Sequence, residues 1–309
     1  METLAVVVEA PGEVALRRLG MTPPDSDDLV IAVEFSGISM GTEKLMYNGA
    51  MPAFPGMGYP LVPGYEAVGR VVDAGAAAQA RIGEQVFVPG SSKFIGARGL
   101  FGGSAQTLVT GSARVLSIPE NLGESAVLLS LAATARHALA GGTLPDLIIG
   151  NGVLGRLLAR MAVAEGQAPT VWEINPARMD GEGYQVVTPD ADARRDYRSV
   201  YDASGDAAIL DAAIAHMAHG GEVVLAGFYS TPLSFNFAPA FRRETRIRIA
   251  TEFLPDDLAA VLAMVGSGRL SLDGLVTNRV PASEAATAYG RAFSDPACLK
   301  MVFDWRALA

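Results

Sequence analysis

Cysteine is nearly absent from this chain of 309 residues: Cys298 is the single thiol, which excludes an internal disulfide framework and any cysteine-rich zinc site. Its expected role, close to the C-terminus, is packing. Histidine is scarce too, and His137, His216 and His219 all fall in stretches that read as helix, so a surface or packing role is expected of them rather than metal binding. Basic charge is in deficit. With 24 Lys and Arg against 33 Asp and Glu, the net charge of −9 argues against nucleic acid or an anionic membrane surface as the main partner. The cluster Arg242, Arg243, Arg246 and Arg248 alternates with Thr245 and Ile247 and reads as the solvated face of a strand. The N-terminal stretch has an acid at Glu2 and no basic segment before its short apolar run, unlike a signal peptide. Leu45 to Tyr65 lacks charge over a length that would span a bilayer, but Pro52, Pro55, Pro60 and Pro63 forbid a membrane helix there. A soluble, cytoplasmic protein with no integral membrane segment is the expectation.

Half of the residues are hydrophobic and 18% are charged, enough apolar surface for a well-buried globular fold. The length exceeds one ordinary core and implies two domains. Apolar runs at Leu4–Val8, Leu29–Phe35, Ala67–Val72 and Gln85–Val88 are separated by turn residues such as Pro23-Pro24-Asp25 and Pro89-Gly90, a spacing that suggests a folded-over barrel. From Gly123 the pattern becomes helical and ends at Gly141-Gly142. Strand and helix then alternate: strand 145–149, helix 153–165, strands 169–174, 184–188 and 199–203, helix 206–218, strands 222–226 and 246–250. That alternation marks a parallel sheet with helices on both faces. The segment between Val187 and Ser199 is short and polar, so one crossover helix is expected to be missing or reduced. A helix at 256–265, a strand at 275–280, a helix opened by Pro281 and Ser283, and a strand at 300–305 complete the reading. The expected fold class is therefore α/β, with a barrel domain from residues 1–121 and 270–309 and a Rossmann doubly wound parallel sheet from 122–269.

The segment PDLIIGNGVLG, Pro145 to Gly155, places three glycines in the spacing G-x-G-x-x-G between a strand and a helix, the context that motif requires. Gly150 would make the tight turn, Gly152 would let backbone approach a pyrophosphate, and Gly155 would allow close helix–sheet packing. Val153 and Leu154 open the helix whose free N–H groups and dipole would receive the phosphates. Glu173 follows about 20 residues later, where an acid reaches the adenosine ribose hydroxyls. Its carboxylate would repel a 2′-phosphate, so NAD is expected rather than NADP.

The order of a β-rich first part, a dinucleotide-binding middle and a returning tail resembles the medium-chain dehydrogenase/reductase superfamily. SGISMGTE (36–43) resembles its S-G-x-C-G-T-D, PGYEAVGRV (63–71) its P-G-H-E-x-x-G-x-V, and YDASGD followed by GGEVVLAGF its later cofactor-domain strands. The resemblance implies a GroES-like barrel as the catalytic domain. It also exposes a chemical departure. At the positions of the cysteine, histidine and cysteine that hold zinc in many members stand Met40 or Ser39, Tyr65 and Ser130, and residues 89–103 contain no cysteine for a structural zinc loop. No metal is expected. Ser36 to Glu66 further resembles zinc-free members that oxidise the 3-(1-hydroxyethyl) group of a bacteriochlorophyll precursor to 3-acetyl, which implies a chlorin or bacteriochlorin substrate.

For catalysis, the resemblance points to Thr42 as the alcohol contact. Tyr65 could relay or accept the proton if a cation such as Lys93 lowered its pKa, and Glu43 and Glu66 could act as base or orienter. Blander roles compete: Thr42 could cap a helix, Tyr65 could fill the former metal cavity, and Glu43 could serve as a helix-start charge. Met40, Tyr47, Met51, Phe54, Met57 and Tyr59 suit a large planar ring, or else cap the barrel core. For the cofactor, Thr134 and Phe228 would face the nicotinamide, Arg178 would lie along the adenine, and Lys300 would approach the pyrophosphate; Arg178 and Lys300 read equally well as surface charges. A homodimer through an edge strand, Leu225–Phe228 with the following segment, is implied by analogy. Two other functions fit the same pattern: a zinc-free quinone or enoyl reductase, and a non-catalytic pigment carrier.

Overall fold

The computed structural model describes residues 1–53 and 55–308; Phe54, one of the expected substrate contacts, lies outside the described residues. The chain forms two units, Met1–Ser130 with the tail from Asp273, and Leu131–Leu272. The divisions thus fall after Ser130 and Leu272 rather than after residues 121 and 269. The helical run explains the first difference, since its opening 3₁₀ segment Glu120–Leu128 packs on the strands Asp28–Ile38 and Ala67–Ala74 of the first unit.

The first unit contains two sheets. One has five strands in the order Phe94–Ile95, Glu13–Met21, Glu2–Ala10, Leu61–Val62 and Arg98–Gly99. The other runs Leu116–Ser117, Gln85–Val88, Ala67–Ala74, Asp28–Ile38, Met301–Asp304 and Asn278–Pro281, with Thr107–Gly111 also paired to Asp28–Ile38. The unbroken run Ala5-Val6-Val7-Val8 is apolar at every position because both faces of its strand are covered: Ala5, Val6 and Val7 join the main core, while Val8 joins a smaller cluster with Met46, Leu61 and Leu100. Cys298 is buried in the main core. The tail closes this unit by placing Met301–Asp304 antiparallel to Asp28–Ile38, with Met301 opposite Ile38.

The second unit is one sheet of six parallel strands in the order Gln185–Val187, Thr170–Trp172, Leu147–Ile149, Tyr197–Asp202, Met217–Leu225 and Arg246–Ile249. Numbered along the chain this is 3-2-1-4-5-6, the Rossmann order. The crossover after Gln185–Val187 is reduced to a 3₁₀ turn, Pro189–Ala191. It is held by Asp192, which accepts from Trp172 Nε1 at 2.7 Å and Tyr197 Oη at 2.7 Å.

Three sequence readings change here. A helix forms at Phe237–Arg243, with Pro239 in its first turn, where the missing N–H costs nothing. Arg242 and Arg243 therefore end a helix, and only Arg246 and Arg248 lie on a strand. His219 lies on the strand Met217–Leu225, because the helix Leu210–His216 gives way to it at once. Leu225 belongs to that same inner strand, so the open edge beside it is Arg246–Ile249 and not Leu225–Phe228.

The helix Val153–Ala164 lies so close to the turn before it that a Cβ at Gly155 would stand 1.8 Å from the Gly150 carbonyl oxygen. Gly155→Ala is expected to lower the unfolding free energy by about 3 kcal/mol in urea denaturation. Gly266→Ala, where an added Cβ meets nothing within 4 Å, should be neutral or slightly stabilising. Equal effects at the two positions would contradict the close approach.

Candidate active site

In the second unit the phosphate-type turn is built. Gly150 adopts φ +95°, a conformation that side-chain-bearing residues avoid, and Gly152 caps the helix begun by Val153 and Leu154. The first N–H groups of that helix have no partner within it. Glu173 ends the neighbouring strand, and its buried carboxylate accepts three backbone N–H groups: Asn151 at 2.9 Å, Ile174 at 2.8 Å and Asn175 at 2.8 Å. It thus ties the glycine turn to the loop that follows its own strand. Arg178 sits at the end of the short 3₁₀ turn Pro176–Arg178, and its Nη1 lies 4.0 Å from where a Cβ on Gly152 would stand. Thr134 lies partly buried on the helix Leu129–Leu139, and Phe228, 40% exposed, follows the strand Met217–Leu225. Sequence reasoning missed Asn151, Arg156 and Asp180. Arg156 donates from Nη1 and Nη2 to Asp180 at 2.8 and 2.6 Å and from Nε to the Asn151 carbonyl at 3.0 Å. The available signal was a guanidinium on an otherwise apolar helix face.

In the first unit three hydroxyls converge. Ser39 Oγ and Tyr65 Oη are 2.7 Å apart, and Thr42 Oγ1 reaches Ser39 Oγ at 3.1 Å and Tyr65 Oη at 3.2 Å. Thr42 is the first residue of the helix Thr42–Tyr47, whose cap is Gly41, so its side chain is turned to this trio and not to capping. Of the two residues in register with the first zinc ligand of related folds, Ser39 joins the trio, while Met40 packs against the main core. Ser130 is also buried. A zinc ion takes thiolate, imidazole or carboxylate, and these neutral hydroxyls do not fit it.

Burial pushes the Tyr65 phenol well above its usual range, and the charge of Glu66 adds to that. Lys93 gives no relief, being paired with Asp25 at 2.7 Å and Asp28 at 2.9 Å. The condition under which Tyr65 would accept a proton as phenolate, a cation that lowers its pKa, is thus not met by Lys93. Glu66 is held in an ion pair. Its two oxygens accept from Lys300 Nζ at 2.9 and 2.7 Å in a pair with both side chains fully buried, and Lys300 also donates to the Ile38 carbonyl at 3.1 Å. Lys300 is consequently not a pyrophosphate contact, because its donors are spent within the first unit. Glu43 is buried beneath the trio, where it accepts the Ser39 N–H at 3.1 Å and the Tyr289 hydroxyl at 2.5 Å. Its position makes it an orienter of Ser39 rather than a solvated helix-start charge.

The methionine and aromatic residues adjoin this trio while packing. Met51, Met57, Tyr59 and Phe101 rest on the cluster of Val8, Met46, Leu61 and Leu100, and Phe101 meets the Tyr65 ring edge-to-face at 5.3 Å. Tyr59 also donates to the Met46 carbonyl. Tyr47 stands apart, against Tyr289 at 6.0 Å and Phe293 at 5.5 Å. Phe101 is a further residue that the sequence did not disclose as part of the site.

Residues 25–120 match the alcohol dehydrogenase GroES-like domain. Over 311 residues, 99% of either chain, the protein is 54% identical to the 2-desacetyl-2-hydroxyethyl bacteriochlorophyllide A dehydrogenase of Rhodobacter capsulatus, and it is 53% identical to the Cereibacter sphaeroides protein of the same name over the full length of both. In fold it is similar to an Escherichia coli alcohol dehydrogenase solved in complex with NADH, with a TM-score of 0.83 and 18% identity over 98% of this chain and 99% of that one.

Burial, opposed by the Tyr289 hydroxyl and the Ser39 N–H, raises the Glu43 carboxyl from 4.5 to about 7. Between those values the folded state binds more protons at this group than the unfolded state does, so its contribution to stability is full below pH 4.5 and falls as pH rises to 7. Glu43→Gln should remove that part of the slope in denaturation curves taken across this window. An identical slope in the variant would contradict the assignment.

Proposed function

The chain belongs to the medium-chain dehydrogenase family, and from its likeness to the bacteriochlorophyllide dehydrogenases we propose that it oxidises the hydroxyethyl side chain of a bacteriochlorophyllide precursor to an acetyl group, with NAD and without zinc. The observation that carries this reading is the full-length identity combined with a site in which Ser39 and Tyr65, which we read as occupying two of the three zinc-ligand positions, converge on Thr42. The cofactor fits a cradle in which Gly152 leaves the helix start open and Gly155 lets the helix close on the turn. A nicotinamide cofactor, when bound, supplies a hydride acceptor. Gly150, Gly152, Val153 and Leu154 would hold its phosphates, with Glu173 and Arg178 on the adenosine side and Thr134 and Phe228 toward the nicotinamide. Glu173 favours NAD, since a 2′-phosphate would meet its carboxylate.

The protein's own groups handle the proton. As the carbinol carbon loses hydride, its hydroxyl becomes strongly acidic and gives its proton to Thr42 Oγ1, which passes its own to Tyr65, directly or through Ser39, and Tyr65, only partly covered, releases its own to solvent water. Each hydroxyl accepts one proton and donates one, so no phenolate or alkoxide is required of the protein. The macrocycle would lie on Met51, Met57 and Phe101, whose apolar surface borders Tyr65.

Anaerobic incubation with NAD and a 3-hydroxyethyl chlorin should produce the red shift expected when an acetyl carbonyl joins the ring conjugation, and a chelator should leave the rate unchanged. Thr42→Ala and Ser39→Ala should each lower kcat by about 100-fold. Absence of the shift, or faster turnover with NADP, would remove the substrate or cofactor part of the reading respectively.

A homodimer fits the open edge Arg246–Ile249, where Ile249 is 77% exposed; Phe237 at 71% and Phe241 at 69% are exposed on the helix that precedes it in the chain. Light scattering should give twice the chain mass, and Ile249→Lys should shift it toward the monomer. A monomeric wild type would rule the dimer out.

A further inference from the structure

We propose that Asn151, Arg156 and Asp180 form a latch that holds the loop bearing Arg178 over the glycine turn, so that the adenosine end of the dinucleotide, with its phosphates on that turn, meets a preformed cationic seat. The inference rests on the nucleotide-binding reading given above and extends it to residues that make the seat rigid.

Arg156 lies in the first turns of the helix Val153–Ala164, where the dipole disfavours a cation, and its side chain is buried. Such a residue is costly unless its donors are matched. The match is specific. Two guanidinium nitrogens grip the two Asp180 oxygens side by side, the geometry that fixes direction as well as charge, and the third reaches back to the Asn151 carbonyl. This bond raises Arg156 above its usual value and lowers Asp180 below its own. Asn151, fully buried within the glycine motif, donates its side-chain amide to the carbonyls of Arg178 at 2.7 Å and Asp180 at 2.8 Å. Its side-chain oxygen accepts from Tyr184 at 3.3 Å. The backbone on both sides of Met179 is thereby bound to the phosphate-type turn through a motif residue and a helix residue. With its own carbonyl held, Arg178 projects beside Gly152, which has no side chain to block it. Ordering this loop before binding spares the ligand the entropic cost of ordering it on arrival.

The test is fluorescence titration of NADH and calorimetric titration of ADP-ribose, which shares the adenosine pyrophosphate but cannot react. The double variant Arg156→Met with Asp180→Ala removes both charges, so that neither is stranded, and costs only the donor to the Asn151 carbonyl. It should raise both dissociation constants about tenfold and raise the KM for NAD while kcat is kept. Arg156→Lys keeps the charge but not the paired geometry and should fall between the two. Asp180→Asn, an exposed change, gives the same reading if the double variant fails to fold. Unchanged dissociation constants in a folded variant, wild-type affinity in Arg156→Lys, or a loss confined to kcat would overturn the latch. A wild-type protein that binds neither NADH nor ADP-ribose would instead overturn the nucleotide reading on which it stands.

Discussion

The buried ion pair between Glu66 and Lys300 is the constraint around which the first unit is arranged. Both side chains are fully buried, and breaking such a pair by removing one partner typically costs about 3–5 kcal/mol, because the remaining charge is stranded. Lys300 immediately precedes the strand Met301–Asp304, so its placement fixes where the returning tail enters the sheet beside Asp28–Ile38. Gly37, on that same strand, must be bare: a Cβ there would stand 2.1 Å from Glu66 Oε2. The helix Ala285–Ser294, just before, brings Tyr289 to Glu43. Two carboxylates beneath the hydroxyl trio are thus each answered by a group from the tail, one by a cation and one by a phenol.

That arrangement explains which parts of the molecule were legible in the sequence. The glycine turn was readable because its requirements are local: Gly150 needs a positive φ, and Gly155 needs to approach a carbonyl five residues away. The alternation of strand and helix after residue 145 was readable for the same reason, including the crossover reduced to Pro189–Ala191. The partners of Glu43 and Glu66 were not. They lie more than 200 residues away along the chain, and no periodicity connects them. Lys300 illustrates the cost of reading a charge by likeness alone, since a lysine at a returning strand looks the same whether it meets a phosphate or a buried acid. The choice between Ser39 and Met40 likewise needed three dimensions, because one residue's displacement turns a side chain from the trio to the core.

A cluster of hydroxyls gives a different kind of help from a metal. A zinc ion withdraws charge and acidifies a bound alcohol before hydride leaves. The trio of Ser39, Thr42 and Tyr65 offers directed hydrogen bonds instead. Such bonds act on the oxygen as its charge changes, which is why their preorganisation matters more than their number. Glu43 meets that need by anchoring the Ser39 backbone with one oxygen while Tyr289 occupies the other. A carboxyl engaged in this way holds the Ser39 backbone in place.

The same logic governs Glu173 in the second unit. A carboxylate that accepts three backbone N–H groups is structural. Three N–H donors hold its charge at a fixed point beside the glycine turn. An aspartate, shorter by one methylene, would be hard pressed to reach Asn151 on one side and Ile174 and Asn175 on the other. The fit of glutamate here then follows from the span between turn and loop.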